Sequence, residues 1–138
     1  MILRIVVFFI LNIQFSNAFD IETASKIFDK LFYAVLQKEE IFVFTKDEEY
    51  KKVIINSKYL KIVDNPIKCD IILANDKNDL KNSNNKIVFT TQKELLEEQE
   101  NVIGAFYWNK GKPEIVFMKE RIEKNNLKLQ EGFEKYAK

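Results

Sequence analysis

Twice in this chain a short apolar run is followed at once by a hydroxyl residue and, three positions later, by a carboxylate. Ile41-Phe42-Val43-Phe44 leads into Thr45-Lys46-Asp47-Glu48, and the run ending Ile87-Val88-Phe89-Thr90 leads into Thr91-Gln92-Lys93-Glu94. An unbroken apolar run suits a strand covered on both faces. The hydroxyl-x-x-carboxylate pattern is a capping box, in which the hydroxyl takes an orphan amide of the first helical turn and the carboxylate reaches back to the cap amide. Strands handed directly to capped helices are what a parallel sheet requires, because parallel neighbours are joined by crossovers that lie on its faces.

The remaining elements fit around those two units. From residue 19 to 36 the apolar side chains of Ile21, Ala24, Ile27, Phe28, Leu31, Phe32 and Val35 recur at intervals of three and four, on one face of a helix. Asp20 and Glu22 suit its positive end. The first capping box predicts a helix through Ser57 with Tyr50, Val53 and Ile54 inward. Residues 59–63 alternate as a strand does, Asn65-Pro66 is a breaker, and residues 69–74 form a second nearly continuous apolar run. Residues 75–85, NDKNDLKNSNN, are polar and turn-rich and read as an exposed loop, the segment expected to be most flexible. Residues 103–108 and 114–118 flank Asn109-Lys110-Gly111-Lys112-Pro113 as the two arms of an antiparallel hairpin. A last helical stretch starts near Lys119, pauses at Asn125-Asn126 and resumes over residues 130–136. The expected architecture is α/β: a mostly parallel sheet with a C-terminal antiparallel hairpin and helices on both faces, in a single domain over residues 19–138.

Residues 1–18, MILRIVVFFILNIQFSNA, carry one positive side chain, Arg4, then an apolar run from Ile5 to Leu11 and an exit through Ser16, Asn17 and Ala18. This is the pattern of a signal peptide cut after Ala18. Its apolar stretch is about half of the roughly 20 residues a span needs, so the expectation is an exported protein with no membrane span left after cleavage. Cys69 is the sole cysteine, which excludes an intrachain disulfide and leaves stability to packing. Beside Asp70-Ile71-Ile72-Leu73 it reads as a small buried hydrophobe, with a reactive thiol as the lesser alternative.

Several function classes drop out on composition. The 138 residues suffice for one core and not for two. With 22 basic and 21 acidic residues the formal charge is +1, far from the balance of a sequence-independent nucleic-acid binder. There is no histidine, which removes the commonest general base and metal ligand. The glycines Gly104, Gly111 and Gly132 are too scattered to cradle a phosphate. Glu39-Glu40, Asp47-Glu48-Glu49 and Glu97-Glu98 lie in segments that read as solvated surface. The stretch Asn75-Asp76-Lys77-Asn78-Asp79 lacks the glycine and the closing glutamate of a calcium loop. No catalytic residue, metal or cofactor is expected, and no nucleic-acid partner.

Aromatic residues supply the candidates for contact. Phe106, Tyr107 and Trp108 sit together on the hairpin with Phe117 opposite, and alternation sends Phe106 and Trp108 one way and Tyr107 the other. One side packs on the core, so Tyr107 or Trp108 is left to meet water, a ligand or a partner, with core packing as the plainer alternative. Phe28 and Phe32, with Tyr33, broaden the stripe of the first helix in the same ambiguous way. Phe28, Phe32, Tyr107 and Trp108 are therefore the candidate partner-binding residues. A second candidate site is the crevice beyond the carboxyl ends of the strands, near Thr45, Asn75, Thr90 and Thr91, where open α/β sheets hold ligands.

Residues 101–137, NVIGAFYWNKGKPEIVFMKERIEKNNLKLQEGFEKYA, resemble the closing hairpin and helices of the YfiR-like family of small periplasmic proteins. The features are the strand holding Ile103-Gly104, the turn glycine of Lys110-Gly111-Lys112, the strand Ile115-Val116-Phe117, and Leu127-Lys128-Leu129 before the last helix. The upstream order is similar to that family as well: signal peptide, helix, the strand at Ile41, the cysteine-led strand and the strand at Ile87. The resemblance implies a Rossmann-like domain without catalytic activity that represses a membrane-bound diguanylate cyclase by binding its periplasmic part, the output being cyclic di-GMP. The expected function is thus regulation through contact with an envelope or inner-membrane protein, a homodimer also being compatible. The alternative is a periplasmic small-ligand receptor of the solute-binding type.

Overall fold

A computed structural model of the chain describes residues 20–83 and 85–138. The expected signal peptide, residues 1–18, lies outside the described residues.

Helix α1 (Ile21–Leu36) starts where the Asp20 carboxylate accepts bonds from the amide and hydroxyl of Thr23. It ends at Gln37, which turns left-handed at φ 49° and donates its amide to the Tyr33 carbonyl. Strand β1 (Ile41–Phe44) follows, then α2 (Glu48–Ile55). The cap of α2 is Asp47, which accepts from the Tyr50 amide, and not Thr45 as the capping-box pattern predicts. Thr45 still belongs to the extended chain leaving β1, and its buried hydroxyl accepts from the Asp47 amide instead. That leaves a carboxylate at the positive end of the helix, where it is most favourable. Ser57 lies beyond the helix; its hydroxyl bonds Asp29 of α1 and accepts from the Leu60 amide, tying α1 to the start of β2 (Leu60–Ile62).

Strand β3 (Ile71–Ala74) starts two residues later than expected, because Cys69 closes a 3₁₀ turn over Pro66–Lys68 with its amide and thiol both on the Pro66 carbonyl. Residues 75–83 are not an open loop. They contain a 3₁₀ turn, Lys77–Leu80, closed by reciprocal bonds between Asp76 and Asp79, with Leu80 and Ser83 buried. After β4 (Ile87–Thr90) the second capping box makes no cap bond and the chain forms a 3₁₀ turn, Lys93–Glu97, in place of an α-helix. The Thr91 hydroxyl is engaged elsewhere, by the Asn75 side chain. Strands β5 (Val102–Asn109) and β6 (Lys112–Phe117) form the hairpin, and α3 (Lys119–Lys124) follows. The expected helix over residues 130–136 is only a 3₁₀ turn, Glu134–Tyr136.

The six strands make one sheet in the order β2-β1-β3-β4-β5-β6, parallel from β2 to β5 and antiparallel at β5–β6. The chain moves outward from β1 to β2 through α2 on the face that α1 covers. It then returns across to β3, β4 and β5 on the other face. Opposite directions on opposite faces give the crossovers one hand. The faces differ in kind. Ile71, Leu73, Phe89 and Phe117 pack under α1, α2 and Ile122 of α3, while Ile72, Val88, Val102 and Val116 pack under the 3₁₀ turns through Leu80, Leu95 and Leu96. Parallel register shifts between Val88 and Phe89, so Val102 faces Val88 and Gly104 faces Phe89, with Ile103 as the extra residue. The bulge turns Ile103 and Gly104 toward the same face. A Cβ on Gly104 would lie 2.7 Å from the Val116 carbonyl oxygen and 2.9 Å from a Phe89 ring carbon, so only glycine fits there.

Candidate functional site

The strand order reverses between β1 and β3, and the chain leaves the two strands on opposite faces there, which opens a crevice at their carboxyl ends. Strands β1, β3 and β4 are each followed or ended by polar residues at this level, and those residues join in a chain of bonds. Thr45, after β1, donates its hydroxyl to the Asn75 Oδ1 after β3 at 3.2 Å, and Asn75 Nδ2 donates to the Thr91 hydroxyl after β4 at 2.9 Å. Thr90, fully buried, donates to the Ala74 carbonyl at 2.9 Å and accepts from the Gln92 amide at 3.0 Å. Thr45, Asn75, Thr90 and Thr91 are thus brought together. Asn75 and Thr91 are half-buried and line the opening, whereas Thr45 and Thr90 are buried and do not line it.

The opening is a cleft of about 600 Å³. Its walls come from every parallel strand end that reaches it: Asp47 and Tyr50 after β1, Asn75 and Asp76 after β3, Thr91 to Glu94 after β4, and Tyr107, Trp108 and Asn109 at the end of β5. Tyr107 and Trp108 point to opposite sides of the sheet as alternation requires, yet both border the cleft because they stand at its upper edge. Trp108 is 39% exposed, with its ring edge-on to Phe106 at 6.1 Å. Tyr107 donates its hydroxyl to Glu114 Oε1 at 3.3 Å.

Phe28 and Phe32 are not contact residues. Both are fully buried, and Phe28 sits edge-on to Phe32, Tyr50, Phe89 and Phe106 at 5.4–6.1 Å. The broad stripe of α1 is consumed because the sheet it covers presents phenylalanines of its own. Tyr33, one position on, is the exposed aromatic of that helix. It borders a separate cleft of about 700 Å³ with Tyr59, Phe133, Asp29, Lys30 and Lys38, at the amino ends of the strands and away from the crossover loops.

Charge distinguishes the upper cleft. Asp47, Asp76 and Glu94 line it against Lys93 alone. Burial, and then Asp47 and Glu49, push the Tyr50 hydroxyl up from 10.0 to about 12. Burial, and then Glu114, likewise raise Tyr107. Both phenols therefore stay neutral donors at ordinary pH. Among the described residues no three of His, Cys, Asp and Glu converge to hold a metal ion, and no helix is long and apolar enough to cross a membrane. Cys69 is buried on the opposite side of β3's start, and burial raises its thiol above the usual range.

Pattern reasoning passed over Asp47, Tyr50 and Glu94 as solvated surface, core and capping-box carboxylate. The available signal was topological, since each follows a strand whose carboxyl end must face the crevice. It also passed over Asp70, which accepts from the Phe42 amide and from Lys38 Nζ at 2.9 and 2.8 Å and clamps β1 to β3. Arg121 was missed too. Its guanidinium donates to the carbonyls of Leu96, Gln99 and Val102, holding the last crossover onto β5.

No protein-family model and no curated protein matches the sequence. Among solved structures, the fold is similar to that of a conserved domain protein from Vibrio cholerae O1 biovar El Tor strain N16961, with a TM-score of 0.58 at 11% sequence identity. The match covers 84% of this chain and 59% of that one, so this chain spans less than two thirds of its neighbour's length. At that identity the likeness speaks for the fold, a mixed α/β sheet closed by an antiparallel pair.

Proposed function

We propose that this chain is a non-catalytic recognition domain of the periplasm that binds a small ligand in the cleft at the carboxyl ends of its parallel strands. The observation that carries the reading is the convergence there of side chains from four strand ends, with Asn75 and Thr91 held in place from below by bonded neighbours. Preorganised polar groups beside aromatic walls are the usual furniture of a small-molecule site. The experiment is a thermal-shift screen of polar metabolites on the full chain and on Thr91→Val. A ligand should raise the melting temperature by mass action, and Thr91→Val should shift it less. Failure of every compound to shift the wild type would overturn the reading.

A second reading follows from the resemblance to YfiR-like regulators and from the exposure of Trp108 on the hairpin. In it the same rim, Tyr107 and Trp108, docks on the periplasmic part of an inner-membrane signalling protein of the diguanylate cyclase type. A pull-down from envelope extract with wild type and Trp108→Ala separates the two. Partner capture lost in the variant supports docking, and identical profiles count against it.

A further inference from the structure

We propose that the ligand of this cleft is a free organic cation, an ammonium carried on a compact apolar body; the inference rests on the small-ligand reading above and assigns its chemical class. Three carboxylates, Asp47, Asp76 and Glu94, stand on the lining against one cation, Lys93. Among the described residues none of the three lies within ion-pair distance of a lysine or arginine. Lys77, next in sequence to Asp76, reaches away to Glu98. A concave surface lined by one sign of charge focuses its field and concentrates the opposite sign.

The rest of the wall matches the other half of such a ligand. Tyr50, Tyr107 and Trp108 border the same space, and aromatic faces attract ammonium groups, tryptophan most of all. An anion would meet the reverse. The positive end of α2, an α-helix that opens on the cleft, is already covered by Asp47, Glu48 and Glu49. A metal ion is disfavoured by spacing, since the carboxylates come from three different loops and do not converge. An ammonium needs no such convergence, because a diffuse charge is held by surrounding field and ring faces.

The test uses three probes of one shape and different charge: choline, its neutral isostere 3,3-dimethylbutan-1-ol, and the anion 3,3-dimethylbutanoate. Trp108 is the chain's single tryptophan, so its fluorescence reports directly from the wall. The expected result is a saturable change with choline at least about tenfold tighter than with the alcohol, and none with the anion. Asp47→Asn keeps a good helix cap and removes one charge; with Glu94→Gln it should weaken choline about threefold or more per charge and leave the alcohol unchanged. Equal binding of choline and alcohol, or preference for the anion, overturns the cation assignment and leaves the cleft a ligand site. Absence of any Trp108 response to choline also overturns it, while the thermal-shift screen decides the cleft reading by itself. A lysine-containing peptide that binds where choline does not would transfer the site to the docking reading.

Discussion

Gly104 and Tyr50 show what a single position can decide. Gly104 sits on the bulge of β5, where Val116 Oxygen, Phe89 and Phe117 crowd the space a methyl group would fill, at 2.7, 2.9 and 3.1 Å. The first contact is with backbone, which cannot rotate away. Gly104→Ala should therefore cost about 1–3 kcal/mol, the usual penalty of overpacking, read as a lower urea midpoint at unchanged slope. Tyr50 decides something different, the stability at alkaline pH. Its hydroxyl titrates at about 12 in the fold against 10.0 ordinarily, first because it is buried and then because Asp47 and Glu49 oppose a second negative charge. The raised value means that its contribution is complete below pH 10 and is lost as pH climbs from 10 toward 12, on the order of 2 kcal/mol in all. Tyr50→Phe cannot ionise, so its stability should fall less steeply than the wild type's between pH 10 and 12. Parallel decline of the two midpoints would show that other groups govern alkaline unfolding.

The hairpin is the element whose making can be tested in isolation. Asn109 pairs with Lys112, leaving Lys110 and Gly111 as a two-residue turn with φ of 54° and 81°, the double left-handed form that matches the twist of the strands. A Cβ on Gly111 would meet nothing within 4 Å, so the cost of Gly111→Ala is backbone strain alone, about 1 kcal/mol. Lys110→Asn puts at the first position a residue that tolerates this conformation and should raise the melting temperature by a degree or more. Opposite signs for the two variants check the turn type; equal losses would refute it. The arms and glycine of this hairpin are plain in the sequence, as are α1, β1 and β4, because their apolar spacing is dictated by a sheet or helix surface. The crossovers are not. Thr91-x-x-Glu94 has the letters of a capping box, but Asn75 claims the Thr91 hydroxyl from a neighbouring strand end, and no local pattern can register that competition. The same holds for Asp76 and Asp79, whose reciprocal caps hide inside a run that looks like featureless loop.

At the scale of the molecule, the sheet is covered by α-helices on one face and by 3₁₀ turns on the other. The candidate site was half legible for that reason. Strand order places Thr45, Asn75, Thr90 and Thr91 at one end of any sheet wound this way, whereas the burial of Phe28 and Phe32 depends on Phe89 and Phe106 rising to meet them from distant strands. The helical face also has a seam, between α1 and the edge at β6, and the C-terminal segment closes it. Gln130 donates its amide to the Ala34 carbonyl at 2.8 Å, Gln37 returns a bond to the Lys128 carbonyl at 2.7 Å, and Ala137 bridges to Phe117. Leu127, Leu129, Phe133 and Tyr136 pack against the main core from this strap. Removing residues 127–138 uncovers Phe117 and the flank of α1 and forfeits the burial of four large side chains, on the order of 5 kcal/mol. That is comparable to the whole stability of a small domain, so the shortened chain should lose its near-ultraviolet circular dichroism and bind a hydrophobic dye. Phe133→Ala keeps the strap and removes only the ring that meets Phe117 edge-on at 6.4 Å. It should stay folded with a loss of about 2 kcal/mol. A truncated chain as stable as the full one would mean that the seam between α1 and β6 closes without the strap.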